Sequence, residues 1–197
     1  MKKWRKTRKT FRHGNLPEAL VDAALGRLEN GGIESLSLRE LARDIGVNHR
    51  AVYRYFPDKL SLQARVAQEG WRHLERQVSK EKFRTKDKNM LVTGALGFFR
   101  FARKHPSLFH LMAGPRINAE GAFPDLDRSV GSALKIFMQA FIDAGTSPKF
   151  ARERTVIFVA ALTGVVQQVL HKRLRVTPAR SGIYIADTTK MLLKGLR

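Results

Sequence analysis

The sequence predicts an all-α protein of about nine helices. Three observations lead to this fold class. Apolar side chains recur three and four residues apart along most of the chain, residues that begin or end helices separate these segments, and no segment shows the alternation that strands require. With 197 residues and 43% hydrophobic content, the chain can also bury a sizeable core.

The first two helices are predicted from signals at their ends. Asn15 is a good N-cap for the first helix, and the NGG sequence at 30–32 ends it. Ser37 and Glu40 form the pattern of a capping box, in which each side chain bonds the backbone amide of the other residue. Gly46 then ends the second helix, and we expect it in a left-handed conformation that a β-carbon would penalise.

The third helix is short and the fourth is long. Asn48 is the expected N-cap of the third helix, and Pro57 ends it because the residue before a proline is pushed away from helical geometry. Asp58 is the expected cap of the fourth helix. The polar stretch 79–89 is interpreted as a surface loop at which the fourth helix ends.

The rest of the chain is also predicted to be helical. Segments 91–104, 106–112, 123–144 and 147–171 have apolar residues at helical spacing. A final helix is predicted from Thr177-Pro178, because a cap residue followed by proline is a common helix start.

The charge of the chain indicates a polyanionic partner. Thirty-seven lysines and arginines against 17 acids give a net charge of +20 and a pI near 11.1. Nucleic acid is the first candidate and an anionic membrane surface is the alternative. Residues 1–14 hold seven of the basic residues and no acid. They are interpreted as a flexible arm, which either lies along DNA or is only a solvated tail.

The same composition favours a soluble cytoplasmic protein. The longest nearly unbroken apolar run, 156–166, is shorter than the roughly 17–25 residues that span a bilayer. The absence of cysteine excludes disulfides and thiolate metal sites and fits a reducing compartment. Neither a membrane partner nor a cofactor is expected.

The segment from Ser37 to Lys59 resembles the tetracycline-repressor (TetR) family of transcriptional regulators. The resemblance rests on SLRELA at 37–42, GVN at 46–48, VYRYF at 52–56 and the lysine at 59. It implies a helix-turn-helix DNA-binding domain at 15–60, behind the arm at 1–14, and a ligand-binding and dimerisation domain at 61–197. A helix pair used only for protein contact or packing is the alternative.

The resemblance also implies which residues contact DNA. They are Arg39, Asn48, His49, Arg50, Tyr53, Arg54, Tyr55 and Lys59. His49 and Arg50 begin the recognition helix, where side chains meet base edges, and arginine pairs bidentately with guanine. Arg50 stands where the family usually has a small residue, so an operator sequence cannot be borrowed from relatives. The helical period turns Tyr55 partly inward, which favours packing for that ring.

A ligand pocket is implied for the C-terminal helices, which in such proteins also dimerise through the last two. Large apolar residues on those helices are pocket candidates, although core packing is the ordinary interpretation. Thr163 and Gln167 either orient a ligand or bond a backbone carbonyl. The candidates are Trp71, Phe98, Phe101, Phe109, Met112, Phe137, Phe141, Thr163 and Gln167. The few acids favour a neutral or anionic effector over a cationic one.

The resulting hypothesis is a homodimeric repressor that binds a palindromic operator and is released by a small-molecule effector. An architectural DNA-binding protein of low specificity is the alternative, because +14 of the charge lies beyond residue 60. Catalysis is not expected, since the sequence has no glycine-rich phosphate loop and no Gly-x-Ser-x-Gly. His105 and His110 are five residues apart, which is not the spacing of a helical metal pair.

Overall fold

The computed structural model describes residues 15–81, 89–114, 117–118 and 120–196. These residues form nine α-helices and one short 3-10 turn, with no strand among them, so the all-α prediction is confirmed. The arm predicted at 1–14 lies outside the described residues. The helices are α1 (Leu16–Gly31), α2 (Leu38–Ile45), α3 (His49–Tyr53), α4 (Lys59–Glu81), α5 (Met90–Lys104), α6 (Pro106–Ala113), α7 (Pro124–Asp143), α8 (Pro148–Leu170) and α9 (Ser181–Gly195).

The ends of α2 and α3 confirm two predictions and correct one. Gly46 has a φ of 73°, the left-handed conformation expected at the end of α2. The Asn48 side chain accepts a hydrogen bond of 2.9 Å from the backbone N–H of Arg50, which caps α3. The predicted capping box is wrong: Ser37 makes no side-chain cap bond, and Glu40 instead pairs with Arg27 of α1.

Helix α4 is a continuous rod of 23 residues. Asp58 caps it, since the backbone N–H of Ser61 bonds Asp58 Oδ1 at 2.7 Å. The loop predicted at 79–89 begins too early, because α4 continues to Glu81. The side chain of Glu81 is fully buried and pairs with Arg100 of α5 at 2.6 Å. The stretch is polar in sequence, but tertiary packing extends the helix.

The last helix also begins later than predicted. Residues 178–180 form a turn, and α9 starts at Ser181 rather than at Thr177-Pro178. The backbone N–H of Arg180 bonds the Thr177 carbonyl at 3.0 Å, and the Ser181 hydroxyl donates to the Pro178 carbonyl at 2.7 Å. These local bonds close a turn before the helix can begin.

One apolar core runs through both halves of the molecule. It extends from Leu16 in α1 to Ile185 in α9. Helix α4 packs against α1, α5, α6 and α7, so it joins the first three helices to the remainder. Two glycines let α5 approach its neighbours closely: a Cβ at Gly94 would lie 2.7 Å from Phe137, and one at Gly97 would lie 3.0 Å from Val78.

Helix α8 is unusual for its exposed apolar surface. Of the described helices it alone is long and apolar enough, by length and composition, to cross a membrane, a test that core helices of soluble proteins also pass. Only 22% of that apolar window is buried within the molecule. Val156 and Ile157 are exposed on α8, and Ile183 and Met191 are exposed on the neighbouring α9. The two helices therefore present a shared apolar face.

Candidate nucleic-acid interface

Helices α2 and α3 form a compact pair with one buried and one exposed side. Leu41 and Ala42 of α2 and Val52 of α3 are buried in the core that α1 completes. The Val47 backbone N–H bonds the Ala42 carbonyl at 2.9 Å, which holds the turn between the two helices. Packing on the inner side thus fixes the pair, and its outer side is left for other contacts.

All eight residues predicted to contact DNA are exposed on the molecule. Tyr53, at the end of α3, is 41% exposed. The inward orientation predicted for Tyr55 is wrong. Helix α3 ends at Tyr53, and the side chain of Tyr55 beyond it is 51% exposed. Phe56 takes the buried position instead. The exposed set is Arg39, Asn48, His49, Arg50, Tyr53, Arg54, Tyr55 and Lys59.

Arg27 of α1 holds the two acids of α2. Its guanidinium pairs with Glu40 and with both carboxylate oxygens of Asp44, one of them at 3.1 Å. The hydrogen bonds from Arg27 lower the pKa of Asp44, and the same bonds raise the pKa of Arg27. The pairs fix α2 against α1, and the single charge of Arg27 offsets one of the two negative charges that would repel phosphate.

The sequence reasoning missed Arg43, which belongs to the same exposed surface. It lies four residues after Arg39, so the two arginines share one side of α2. The four-residue spacing from Arg39 is the sequence signal by which Arg43 could have been predicted. Lys59 is less free than predicted, since its Nζ lies 4.0 Å from a carboxylate oxygen of the fully exposed Glu34. Such an exposed pair is weak.

A cluster of titratable residues lies where α1, α4 and α6 meet. His105, just before α6, pairs through Nδ1 with Glu29 of α1. His73 Nε2 lies 3.1 Å from Glu69 within α4. Burial lowers the pKa of His73, and the nearby charges of Arg76 and His105 lower it further, against the opposing effect of Glu69. The cluster joins the DNA-facing helices to the rest of the molecule.

The nine predicted pocket residues are found mainly in tight packing. Phe98 and Phe109 meet edge to face with ring centres 5.5 Å apart, while Phe137 and Phe141 both contact Phe158 at under 6 Å. Phe101 is also buried. The remaining four are half-buried: Trp71, Met112, Thr163 and Gln167. This arrangement is that of a core, and the ligand pocket stays a prediction.

Among the described residues, two surface cavities lie away from these candidates. One of about 300 Å³ lies between the start of α8 and the end of α9, beside Phe150 and Ile157. Another of about 520 Å³ follows the outer side of α4, beside Arg72 and Arg76. None of the nine predicted pocket residues lines either cavity.

Family comparisons agree with this geometry. Residues 20–66 match the model of bacterial regulatory proteins of the tetR family, and residues 91–186 match a tetracyclin repressor-like C-terminal domain. The chain belongs to the TetR family. The first match covers α2 and α3 with their exposed side, and the second covers the helical body. The protein is therefore a DNA-binding transcriptional regulator.

Solved structures share the whole TetR fold. A protein of unknown function from Rhodococcus sp. RHA1 is 23% identical, with 94% of this chain and 97% of that chain covered and a TM-score of 0.77. A TetR variant from Acinetobacter baumannii AYE in complex with minocycline is 19% identical, with 89% and 93% covered and a TM-score of 0.63. The fatty acid degradation regulator FadR from Bacillus halodurans is 16% identical, with 91% and 99% covered and a TM-score of 0.65.

Proposed function

We propose that this TetR-family regulator is a cytoplasmic homodimeric repressor, which binds a palindromic operator and leaves it when a small molecule binds the C-terminal helices. The observation that carries the proposal is the apolar face of α8 and α9. Five large apolar side chains there are between 47% and 63% exposed: Phe150, Val156, Ile157, Ile183 and Met191. Monomeric soluble proteins rarely leave such a face uncovered, and a self-complementary patch suits a twofold dimer.

Each copy of the dimer would place one α3 in the major groove. His49 and Arg50, at the start of α3, would contact base edges, where an arginine reads guanine. Tyr53, Lys59 and Arg39 would contact phosphates, which position the protein without reading sequence. Asn48, Arg54 and Tyr55 are exposed beside them and would add backbone contacts. A twofold dimer then predicts half-sites about one helical turn of DNA apart, or a multiple.

The proposed effector is a small, largely apolar molecule. A small-molecule effector is supported by one structural neighbour, which is described as a TetR variant in complex with minocycline. The half-buried residues Trp71, Met112, Thr163 and Gln167 are candidates for its site, together with the aromatic residues that pack beside them. Binding would release DNA if the ligand prefers a tilt of α4 that changes the spacing of the two α3 helices.

Selection of bound sequences from a random DNA library at physiological salt tests the proposal. A palindromic consensus is expected. Recovery of no consensus would support the architectural alternative, since such a protein lacks a large affinity gap between one site and random DNA.

Two variants then separate the roles of α3 residues. Arg50→Ala should relax base preference at one position of the consensus by about 1–3 kcal/mol. Tyr53→Phe should weaken binding to operator and random DNA alike, because it removes a phosphate contact. If Arg50→Ala lowers affinity equally for all sequences, the assignment of Arg50 to base reading is wrong.

The dimer is tested by placing a charge in the apolar face. Ile183→Glu should convert the dimer to monomer in sedimentation experiments and abolish operator binding at the same concentration. Met90→Glu is the matched control, because Met90 is an exposed apolar residue that belongs to α5 rather than to α8 or α9. A monomeric wild type would contradict the proposal.

A further inference from the structure

The segment that joins α8 to α9, residues 171–180, is a concentration of unpaired positive charge. Lys172, Arg173, Arg175 and Arg180 are all exposed, and none makes an ion pair with another described residue. The sequence contains no acid between Glu153 and Asp187. We call residues 171–180 the α8–α9 connector. The dipole of α8 favours cations at its C-terminus. This effect explains the placement of Lys172 and Arg173, which follow the helix directly, but not that of Arg175 and Arg180.

The backbone of the connector is ordered by local hydrogen bonds. Lys172 has a φ of 56°, and its N–H bonds the Val169 carbonyl at 3.1 Å. The Arg173 N–H bonds the Gln168 carbonyl at 3.0 Å, which completes the usual left-handed ending of a helix. The connector is therefore held in place as it leaves α8.

Beyond that ending, alternate residues face opposite ways. Leu174 and Val176 are half-buried, whereas Arg173 and Arg175 are exposed. The Val176 N–H bonds the Leu174 carbonyl at 2.8 Å, which orders this part of the segment, and the two arginines are exposed beside it. This is a built surface rather than a loose basic tail.

The direction of α7 shows at which end of the molecule the connector lies. The end of α4 packs at Gly97 of α5, and Phe137 of α7 packs at Gly94, which is farther from α1. Helix α7 packs extensively along α4. Thirteen residues of α7 precede Phe137 and only six follow it, so the extensive packing on α4 falls mainly to the residues before Phe137. Helix α7 therefore begins near α1 and runs away from it.

Helix α8 then returns toward α1. Four residues join α7 to α8, and Phe158 packs on both Phe137 and Phe141. Leu170 lies 12 residues beyond Phe158, or about 18 Å along the helix. Lys104 lies ten residues beyond Gly94, or about 15 Å. The connector is therefore near the level of His105, which pairs with Glu29 of α1, at the DNA-binding end of the molecule.

We propose that the α8–α9 connector binds phosphates of the operator between its two half-sites. The inference rests on the proposed dimer, in which α8 and α9 face the twofold axis and the two connectors lie on either side of it. Eight lysines and arginines would then lie near the axis, and neither connector contains an acid to offset them. A polyanion across the axis removes this repulsion, and operator DNA is the polyanion that the dimer holds there.

A charge-matched pair of double variants tests the inference on one helix. Arg173→Gln with Arg175→Gln removes two charges at the connector, and Lys149→Gln with Arg152→Gln removes two exposed charges at the opposite end of α8. The probe is a 40-base-pair duplex carrying the sequence that the wild type selects. We expect the connector variant to bind about tenfold more weakly at 0.1 M salt, with a salt dependence shallower by about two to four ions. The control variant should bind as wild type does.

A second arm locates the contact on the DNA. Methylphosphonate linkages, which carry no charge, replace the phosphates between the half-sites. They should weaken wild-type binding and leave the connector variant unaffected, because its contact is already lost. Equal weakening of both proteins would overturn the inference. It would also be overturned if the connector variant bound DNA as the wild type does but no longer bound an acidic protein partner.

The result also separates this inference from the proposed function. If the wild type dimerises and selects a palindrome while the connector variant binds that duplex with wild-type affinity, only the connector inference is wrong. If the wild type is monomeric or selects no consensus, the proposed dimeric repressor is wrong and the connector inference fails with it. Sedimentation of both double variants confirms that each still dimerises.

Discussion

The DNA-facing helices α1–α3 and the helical body α4–α9 expose opposite kinds of side chain. Helices α2 and α3 are 8 and 5 residues long, and their outer side is charged or phenolic. The body has helices of up to 23 residues, an aromatic interior and an exposed apolar face on α8 and α9. In the first region the functional candidates are exposed residues. In the body five of the nine pocket candidates are buried in the core, so residue type alone does not separate a pocket from a core.

The largest expected effect tests this distinction inside the body. Phe137→Ala should lower the free energy of unfolding by about 3–5 kcal/mol, since the ring is buried against Phe158 and Gly94. Urea denaturation measures the change, and Phe137→Leu is the milder control. A loss below about 1 kcal/mol would indicate loose packing around the ring, as expected of a pocket wall rather than a core.

Two asparagine caps allow the regions to be compared with the same chemistry. Asn48 accepts the Arg50 N–H at 2.9 Å, and Asn89 accepts the Leu91 N–H at 2.9 Å. Each change to alanine should cost about 0.5–2 kcal/mol of unfolding free energy. Only Asn48→Ala should also weaken operator binding in a fluorescence titration. Equal loss of DNA binding in both variants would mean that global stability, rather than the position of α3, controls affinity.

The junction between the regions should respond to pH through His73. Its pKa lies below the ordinary value of 6.5 because of burial first and of Arg76 next. Below about pH 6.5 the imidazole of His73 therefore takes up a proton more readily in the unfolded chain than in the folded one. The free energy of unfolding of the wild type should fall as the pH drops through this range. His73→Gln should flatten that part of the curve in denaturation experiments from pH 8 to 5. An unchanged slope would show that His73 does not control the pH dependence of stability in this range.

The smallest effect is expected for the ion pairs of Arg27. Arg27→Met should reduce the unfolding free energy by about 1 kcal/mol or less, because both carboxylate partners are exposed. The pKa of Asp44 is lowered from 3.8, so this stabilisation is present at neutral pH and is lost as pH falls below about 4. Arg128→Met, in a still more exposed pair with Asp125, should have no measurable effect. A cost well above 1 kcal/mol would show that Arg27 also positions α2 by packing.

Local signals in the sequence predicted the turn and two of the helix caps of the first region correctly, but not the cap of α2 or the end of α3. Gly46, Asn48 and Asp58 occupy the positions expected of them, because a left-handed turn and a cap depend on a few neighbouring residues. Ser37 makes no side-chain cap bond, and the Glu40 carboxylate pairs with Arg27, 13 residues earlier in the chain. The predicted orientation of Tyr55 was wrong because α3 ends at Tyr53, whereas the prediction continued this helix up to Pro57.

The sequence by itself determined the fold class, the helix-turn-helix and the family, because these follow from short-range periodicity, caps and one dense motif. Only the tertiary structure decided that Glu81 stays helical and buried, that the phenylalanines pack on one another, and that the α8–α9 connector lies at the same end as α1. Those properties depend on which helices are neighbours and in which direction each runs. Contacts between residues distant in the chain leave no local pattern from which they can be read.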